Sequence, residues 1–268
     1  MKIVIFGPTG MLGNYVRKYL SQFHEDVICI DRKVYDIETC DWRKLDEILS
    51  VFSSEDVIIN CAGAIPQQKC DMRKFITVNS IFPHKVNDIS MKYGFKFIHI
   101  TTDCVFSGKE GNYNELSKHD AEDIYGITKS LGECDSCCII RTSIIGEELN
   151  NKNSLLEWVI GNKGGCINGY EKIYWNGITC LQLSMIIENI ITTDSFWVGV
   201  RHILSPTIVS KFELCQYINE IYDLKIDLTK NDNFSKNMTI RSIYPTEFVI
   251  PEIREQIKVQ SLFAIKPI

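Results

Sequence analysis

Short β-branched runs alternating with longer amphipathic segments predict an α/β chain whose first half is a doubly wound parallel sheet. Two further observations support that class. Intervals of roughly 15 to 35 residues between the runs leave room for a crossover helix each, and the handedness rule then orders the sheet. The residues that end the runs, Gly7, Asp31, Cys61, Thr102 and Arg141, would also share one crevice, where open parallel sheets bind ligands.

The first strand, Lys2 to Phe6, runs into GPTGMLG and a helix from Leu12 to Leu20. Gly7, Gly10 and Gly13 permit a tight turn, and with Met11 and Leu12 they bring backbone N–H groups to a pyrophosphate at the positive end of that helix. The second strand, Asp26 to Ile30, ends at Asp31, about 18 residues past the last glycine, where a carboxylate holds the adenosine ribose of NAD. Arg32 and Lys33 follow and suit a 2′-phosphate, so the segment favours NADPH and leaves NADH open. Asp36 and Ile37 would lie near the adenine. A third strand, Val57 to Asn60, leads to Cys61, Ala62 and Gly63, which would pass the cofactor with little bulk.

The fourth strand, Lys96 to Thr101, opens HITTDCVFSG and places Thr102 at the crevice to hydrogen-bond a carbonyl. Tyr125 and Lys129 in YGITK fall on one face of a helix. A tyrosine of reference pKa about 10 needs a neighbouring cation to work as an acid near neutrality, and Lys129 supplies one. A fifth strand, Cys137 to Arg141, ends the regular half. Beyond it, Gly161 to Gly177 reads as loops with short strands, Leu181 to Ile191 as a helix, Gly199 to Leu204 as a strand and Lys211 to Ile221 as a helix. The expected division is residues 1–145 with about 178–204 for the Rossmann-like cofactor unit, and about 146–177 with 205–268 for a smaller C-terminal substrate-binding lobe.

The 29 basic and 34 acidic residues leave a net charge of -5 and no basic run, which argues against nucleic acid. MKIVIFG is too short for a signal-peptide core or a membrane span, so a cytoplasmic location without a membrane partner is expected. The 11 cysteines mostly fall in apolar stretches and read as buried thiols of a reducing compartment. Cys134, Cys137 and Cys138 are close in sequence but lack a second ligand cluster, so no metal is expected.

Together, the glycine turn, the strand-end hydroxyl and the YxxxK helix describe the short-chain dehydrogenase/reductase superfamily. GPTGMLG, TTDCVFSG, YGITKSLGE and CIIRTSIIG, in that order, resemble the nucleotide-sugar 4-ketoreductases typified by dTDP-4-dehydrorhamnose reductase. The likeness spans roughly residues 1–205, with a weaker echo in SPTIVSKFEL. It implies an NAD(P)H-dependent reductase of a UDP- or dTDP-linked 4-keto-6-deoxyhexose, rhamnose-type or N-acetylated, with Thr102, Tyr125 and Lys129 as catalytic trio. Tyr125 and Lys129 would also touch the cofactor.

Cys104 stands where that family carries an aromatic residue. Related enzymes that both epimerise and reduce place a cysteine there and a lysine in a later loop resembling that of Lys172, so the resemblance also implies a 3-epimerase, against the alternative of a buried thiol and a solvated lysine. Candidate sugar-nucleotide contacts are Asp103, Val105, Phe106, Arg141, Lys172, Trp175 and Arg241. Arg141 reads equally as a salt-bridge partner. The run Tyr170 to Trp175 reads as a sugar or uracil pocket or as cover for a sheet edge. His99 reads as a core residue, and His84 and His119 as surface groups. Two other classes stay open: a non-catalytic NADP-binding regulatory subunit, a role held by relatives of these reductases, and a dehydrogenase of an unrelated small alcohol. The oligomeric state, a homodimer included, is open as well.

Overall fold

Ile3, Val4, Ile5 and Phe6 are all buried, as a strand must be when it lies inside a parallel sheet covered on both faces. The computed structural model describes residues 1–68, 71–150, 152–245 and 247–263. Its first half runs β1 (Ile3–Phe6), α1 (Met11–Leu20), β2 (Val27–Ile30), α2 (Trp42–Leu49), β3 (Val57–Asn60), α3 (Met72–Ile76), α4 (Phe82–Tyr93), β4 (Lys96–Thr102), α5 (Ile124–Ser130) and β5 (Cys138–Thr142). The second half follows with β6 (Ile144–Ile145), α6 (Leu155–Gly161), β7 (Cys166–Trp175), β8 (Ile178–Thr179), α7 (Cys180–Thr192), β9 (Gly199–His202), β10 (Val209–Ser210), α8 (Lys211–Ile221), β11 (Asp227–Asn237) and α9 (Ile253–Leu262).

The main sheet has the order β2-β1-β3-β4-β5-β9 with every neighbouring pair parallel, the α/β doubly wound arrangement that the sequence predicts. Alternation along each strand sorts its side chains onto two faces. Ile3, Ile5, Val57, Ile59, Ile98 and Ile140 meet Tyr15 and Val16 of α1 and Ile186, Ile187 and Ile190 of α7. On the other face Val4, Phe6, Ile58, Phe97 and Ile139 meet Leu45 and Leu49 of α2 and Phe82, Val86 and Ile89 of α4. Burying each such aliphatic side chain contributes about 1.5–3 kcal/mol.

A second sheet, β10-β7-β11, carries a core of its own. Ile167 and Trp175 of β7 pack there with Leu214 and Ile218 of α8 and Ile253 and Ile257 of α9. Helix α8 starts where the sequence predicts because Ser210 and Glu213 close a capping box. The stretch Gly161 to Gly177, expected as loops with short strands, instead holds the ten-residue strand β7. Its partner β11 reads DLTKNDNFSKN, without apolar alternation, and follows β7 through backbone pairing from Asp227 to Asn237. Among the described residues, no helix is long and apolar enough to cross a membrane.

At the switch in strand order between β1 and β3, α1 comes very close to the turn that precedes it. A Cβ on Gly13 would stand 2.0 Å from the Gly7 carbonyl oxygen, so only glycine fits. Gly13→Ala is expected to destabilise the chain by about 1–3 kcal/mol through forced backbone displacement. Urea unfolding checks this, and an unchanged midpoint would contradict the close packing.

Candidate active site

One cleft of about 1090 Å³ follows the C-terminal edge of the main sheet from Asp31 after β2 to Ser143 after β5. Crossing four strand spacings of ~4.8 Å makes it roughly 19 Å long at the sheet. At the β1 end Gly7, Thr9, Gly10, Met11 and Leu12 line it. Gly10 caps α1 without a side chain to offer, so the first-turn N–H groups keep the positive helix end available to a ligand. Asn60 shapes the facing turn by accepting from the Ala62 N–H at 3.0 Å, and Cys61, Ala62 and Gly63 line the cleft beside it. Asp31, Arg32, Asp36 and Ile37 line the β2 end. Asp31 already accepts from the N–H groups of Lys33 and Val34, at 2.9 and 3.2 Å. Gly13 supports the turn from behind and does not line the cleft.

At the other end stand Thr102, Asp103, Cys104, Tyr125 and Lys129. Asp123 caps α5 by accepting from the Gly126 N–H at 3.0 Å. A Cβ on Gly126 would lie 2.2 Å from the Cys104 carbonyl oxygen, so α5 rests directly on the turn after β4. A buried asparagine holds the helix from behind: Asn79, in the π turn Thr77–Ile81, accepts from the Ala64 N–H and donates to the Ala64 carbonyl and to Thr128. Lys129 donates to the Ile100 carbonyl at 2.9 Å.

Burial dominates the electrostatics here. It pushes the Lys129 ammonium down to about 8 and the Cys104 thiol up to about 12, with Asp103 adding to the latter. Burial also raises Tyr125, with Cys104 adding to the rise and Thr102 opposing it. Asp103 is raised by burial against the pull of Lys211, the first residue of α8, whose ammonium lies 4.6 Å from the Trp175 ring centre.

Several sequence candidates lie elsewhere. Lys172 is half exposed on β7, pairs with Asp232 at 3.2 Å and is not among the residues that line the cleft. Val105 and Phe106 are core residues with Tyr113 and Ile240. Trp175 is buried in the second core. Arg241 is exposed and joined to the fold by its backbone, whose carbonyl lies 2.9 Å from His202 Nδ1. Arg141 is 1% exposed and takes the salt-bridge alternative: its guanidinium contacts Glu133 at 2.5 Å and the ring nitrogens of His202 and His119 at 2.8 Å each. His119, expected at the surface, is thereby half-buried, and burial with Arg141 holds His202 down to about 4. His99 is a core residue bonded to Asn60 at 3.2 Å, and His84 is exposed.

Sequence reasoning missed Lys74, Ser143, Asn153, Ser154 and Lys236, all of which line the cleft. Lys74, Asn153, Ser154 and Lys236 sit in segments without a local signature and reach the crevice only through tertiary folding, whereas Ser143 lies within CIIRTSIIG, directly after β5.

The model of the RmlD substrate binding domain family matches residues 1–159. The chain belongs to that family. Among relatives of this RmlD-family chain, the spore coat polysaccharide biosynthesis protein SpsK of Bacillus subtilis is 30% identical, covering 82% of this chain and 78% of that protein. A dTDP-4-dehydrorhamnose reductase of Aggregatibacter actinomycetemcomitans is 24% identical, covering 99% of this chain and 94% of that one. A crystal structure of a Clostridium acetobutylicum dTDP-4-dehydrorhamnose reductase shares the fold at TM-score 0.83 and 20% identity, over 98% of this chain and 99% of that one. Another, from Bacillus anthracis and in complex with NADP, shares it at TM-score 0.82 and 20% identity, over 98% and 99%.

The Arg141 network gives a prediction about the RmlD-family framework. Removing one partner of a buried ion pair leaves an uncompensated charge, so Arg141→Met should cost about 3–5 kcal/mol. Chemical denaturation measures it, and a loss below about 1 kcal/mol would mean that Glu133 finds water or another cation.

Proposed function

We propose that this chain is an NAD(P)H-dependent 4-ketoreductase of a UDP- or dTDP-linked 4-keto-6-deoxyhexose, rhamnose-type or N-acetylated, in nucleotide-sugar biosynthesis. The observation that carries the reading is the meeting of the glycine turn with Thr102, Tyr125 and Lys129 in one cleft. Two relatives named dTDP-4-dehydrorhamnose reductase or polysaccharide biosynthesis protein, and a fold neighbour in complex with NADP, support it.

The residues present fit a dinucleotide. The first-turn amides of α1 suit its diphosphate, and Asp31, Arg32, Asp36 and Ile37 suit its adenosine. The Thr101 hydroxyl, buried in the cleft wall without a hydrogen-bond partner, awaits a ligand group. NADPH is the preferred cofactor in this reading, with NADH a second choice. When bound, the dihydronicotinamide supplies the hydride that reduces the C4 carbonyl. Tyr125 donates its phenolic proton to the carbonyl oxygen, Thr102 hydrogen-bonds that oxygen, and the Lys129 ammonium stabilises the phenolate that Tyr125 becomes. The residues about 146–177 and 205–268 form the substrate lobe, and residues 1–145 with about 178–204 hold the cofactor. Glu148, Asn153 and Ser154 would then face the sugar nucleotide from the rim.

Epimerisation through Cys104 with Lys172 has less support. Lys172 lies outside the cleft, and a thiol pushed up to about 12 is a poor base near neutrality.

The test offers NADPH with the 4-keto products of UDP-N-acetylglucosamine and dTDP-glucose dehydratases in parallel, follows NADPH oxidation by absorbance, and examines the product sugars by NMR in heavy water. Oxidation with one substrate and no deuterium at C3 is expected. Tyr125→Phe should lower turnover by about 10²–10⁴-fold with cofactor affinity retained. Silence with both substrates despite NADPH binding would sink the reductase reading in favour of a regulatory subunit.

A pH dependence follows from Lys129. Its folded pKa is lowered to about 8, so the ammonium is present below that pH and lost as pH rises through it. kcat/KM should therefore fall above about 8, and Lys129→Arg, whose charge persists, should move that limb upward. An unmoved limb would assign it to another group.

A further inference from the structure

We propose that Lys74 recognises the 2′-phosphate of NADPH and that Glu38, which now holds Lys74, sets the choice between the two nicotinamide cofactors. The inference rests on the dinucleotide reading of the cleft and assigns residues that neither the glycine turn nor the end of β2 points to.

Glu38 and Lys74 both line the cleft at the β2 end, beside Asp31 and Arg32. One carboxylate oxygen of Glu38 lies 2.9 Å from the Lys74 ammonium and 3.4 Å from the Arg32 guanidinium. The Glu38 backbone is fixed because its N–H donates to Asp36 at 3.1 Å. Lys74 is the more buried of the two cations: its side chain is 18% exposed against 68% for Arg32. Lys33, the other basic residue after β2, does not line the cleft.

A single carboxylate therefore stands between two cations where the adenosine ribose would lie. A phosphate dianion in that place would meet both cations with charge-assisted hydrogen bonds and match their combined charge, whereas Glu38 supplies half of it. The Arg32–Glu38 pair is exposed and holds weakly, and a phosphate that replaces Glu38 at the more buried Lys74 keeps that ammonium paired. A ribose diol makes the opposite demand, for a carboxylate acceptor, and Asp31 is partly committed to the Lys33 and Val34 amides. Glu38 in its present position serves the diol of NADH, and its displacement frees Lys74 and Arg32 for NADPH.

The test measures binding of NADPH, NADH, 2′,5′-ADP and 5′-AMP by calorimetry to the wild type, Lys74→Gln and Glu38→Gln, without turnover. Lys74→Gln should weaken NADPH and 2′,5′-ADP by about tenfold and leave NADH and 5′-AMP within about twofold. Glu38→Gln should do the reverse, tightening the two 2′-phosphorylated ligands and weakening NADH and 5′-AMP. Equal shifts for both ligand classes, or none, would overturn the assignment while leaving the dinucleotide site intact. A wild type that binds none of the four would overturn the dinucleotide reading along with it.

Discussion

Helix α5 is pressed onto the turn after β4, and the candidate chemistry depends on that contact. Gly126 leaves no gap for a side chain above the Cys104 carbonyl, and Lys129 is tied to the Ile100 carbonyl one turn further on. Those two contacts fix the height and rotation of the helix against the sheet, which decides where Tyr125 meets the cleft. Asn79 holds the far side by bonding Ala64 and Thr128 together. A phenol and an ammonium on one exposed helical turn would be two solvated side chains. Packed this way they are two desolvated groups facing the strand ends, and their chemistry changes accordingly.

Much of the main sheet was legible because parallel strands buried on both faces read as unbroken apolar runs, IVIF in β1 and VII in β3 among them. The candidate cleft was legible for the same reason: the topology sends every strand's C-terminal end to one edge, so Gly7, Asp31, Cys61 and Thr102 had to be neighbours. Strand β11 was not legible, since its side chains are mostly exposed and backbone pairing alone makes it a strand. Lys172 shows the cost of treating β7 as loops. In a strand, successive side chains alternate faces, so Trp175 turns into the core while Lys172 is left outside. Lys74 and Lys236 carry no local signal at all, because their segments reach the cleft only once the sheets have formed.

Arg141 illustrates why a strand end does not by itself define a ligand contact. It sits in register with Thr101 of β4 and His202 of β9, between two strands rather than at the open edge. Glu133, from the segment after α5, and the imidazoles of His119 and His202 surround its guanidinium. Four groups from separate parts of the chain are thus joined beneath the cleft. Its disposition also keeps both imidazoles neutral, as burial beside a permanent cation demands.

Burial acts in one direction on three acids at the chemical end of the cleft. Tyr125, Cys104 and Asp103 are all raised, and the cations Lys129 and Lys211 are both lowered, Lys129 to about 8. Tyr125 and Cys104, raised from values already above neutrality, keep their protons at physiological pH, so neither rests as an ionised base. A site of that kind suits a reaction in which a carbonyl oxygen must gain a proton as its carbon is reduced. It is unsuited to removing a proton from carbon, which needs an ionised base before the substrate arrives. The same desolvation that makes Tyr125 slow to ionise alone makes its phenolate strongly dependent on the adjacent ammonium, so Tyr125 and Lys129 act as one unit in which the loss of either removes most of the function of both.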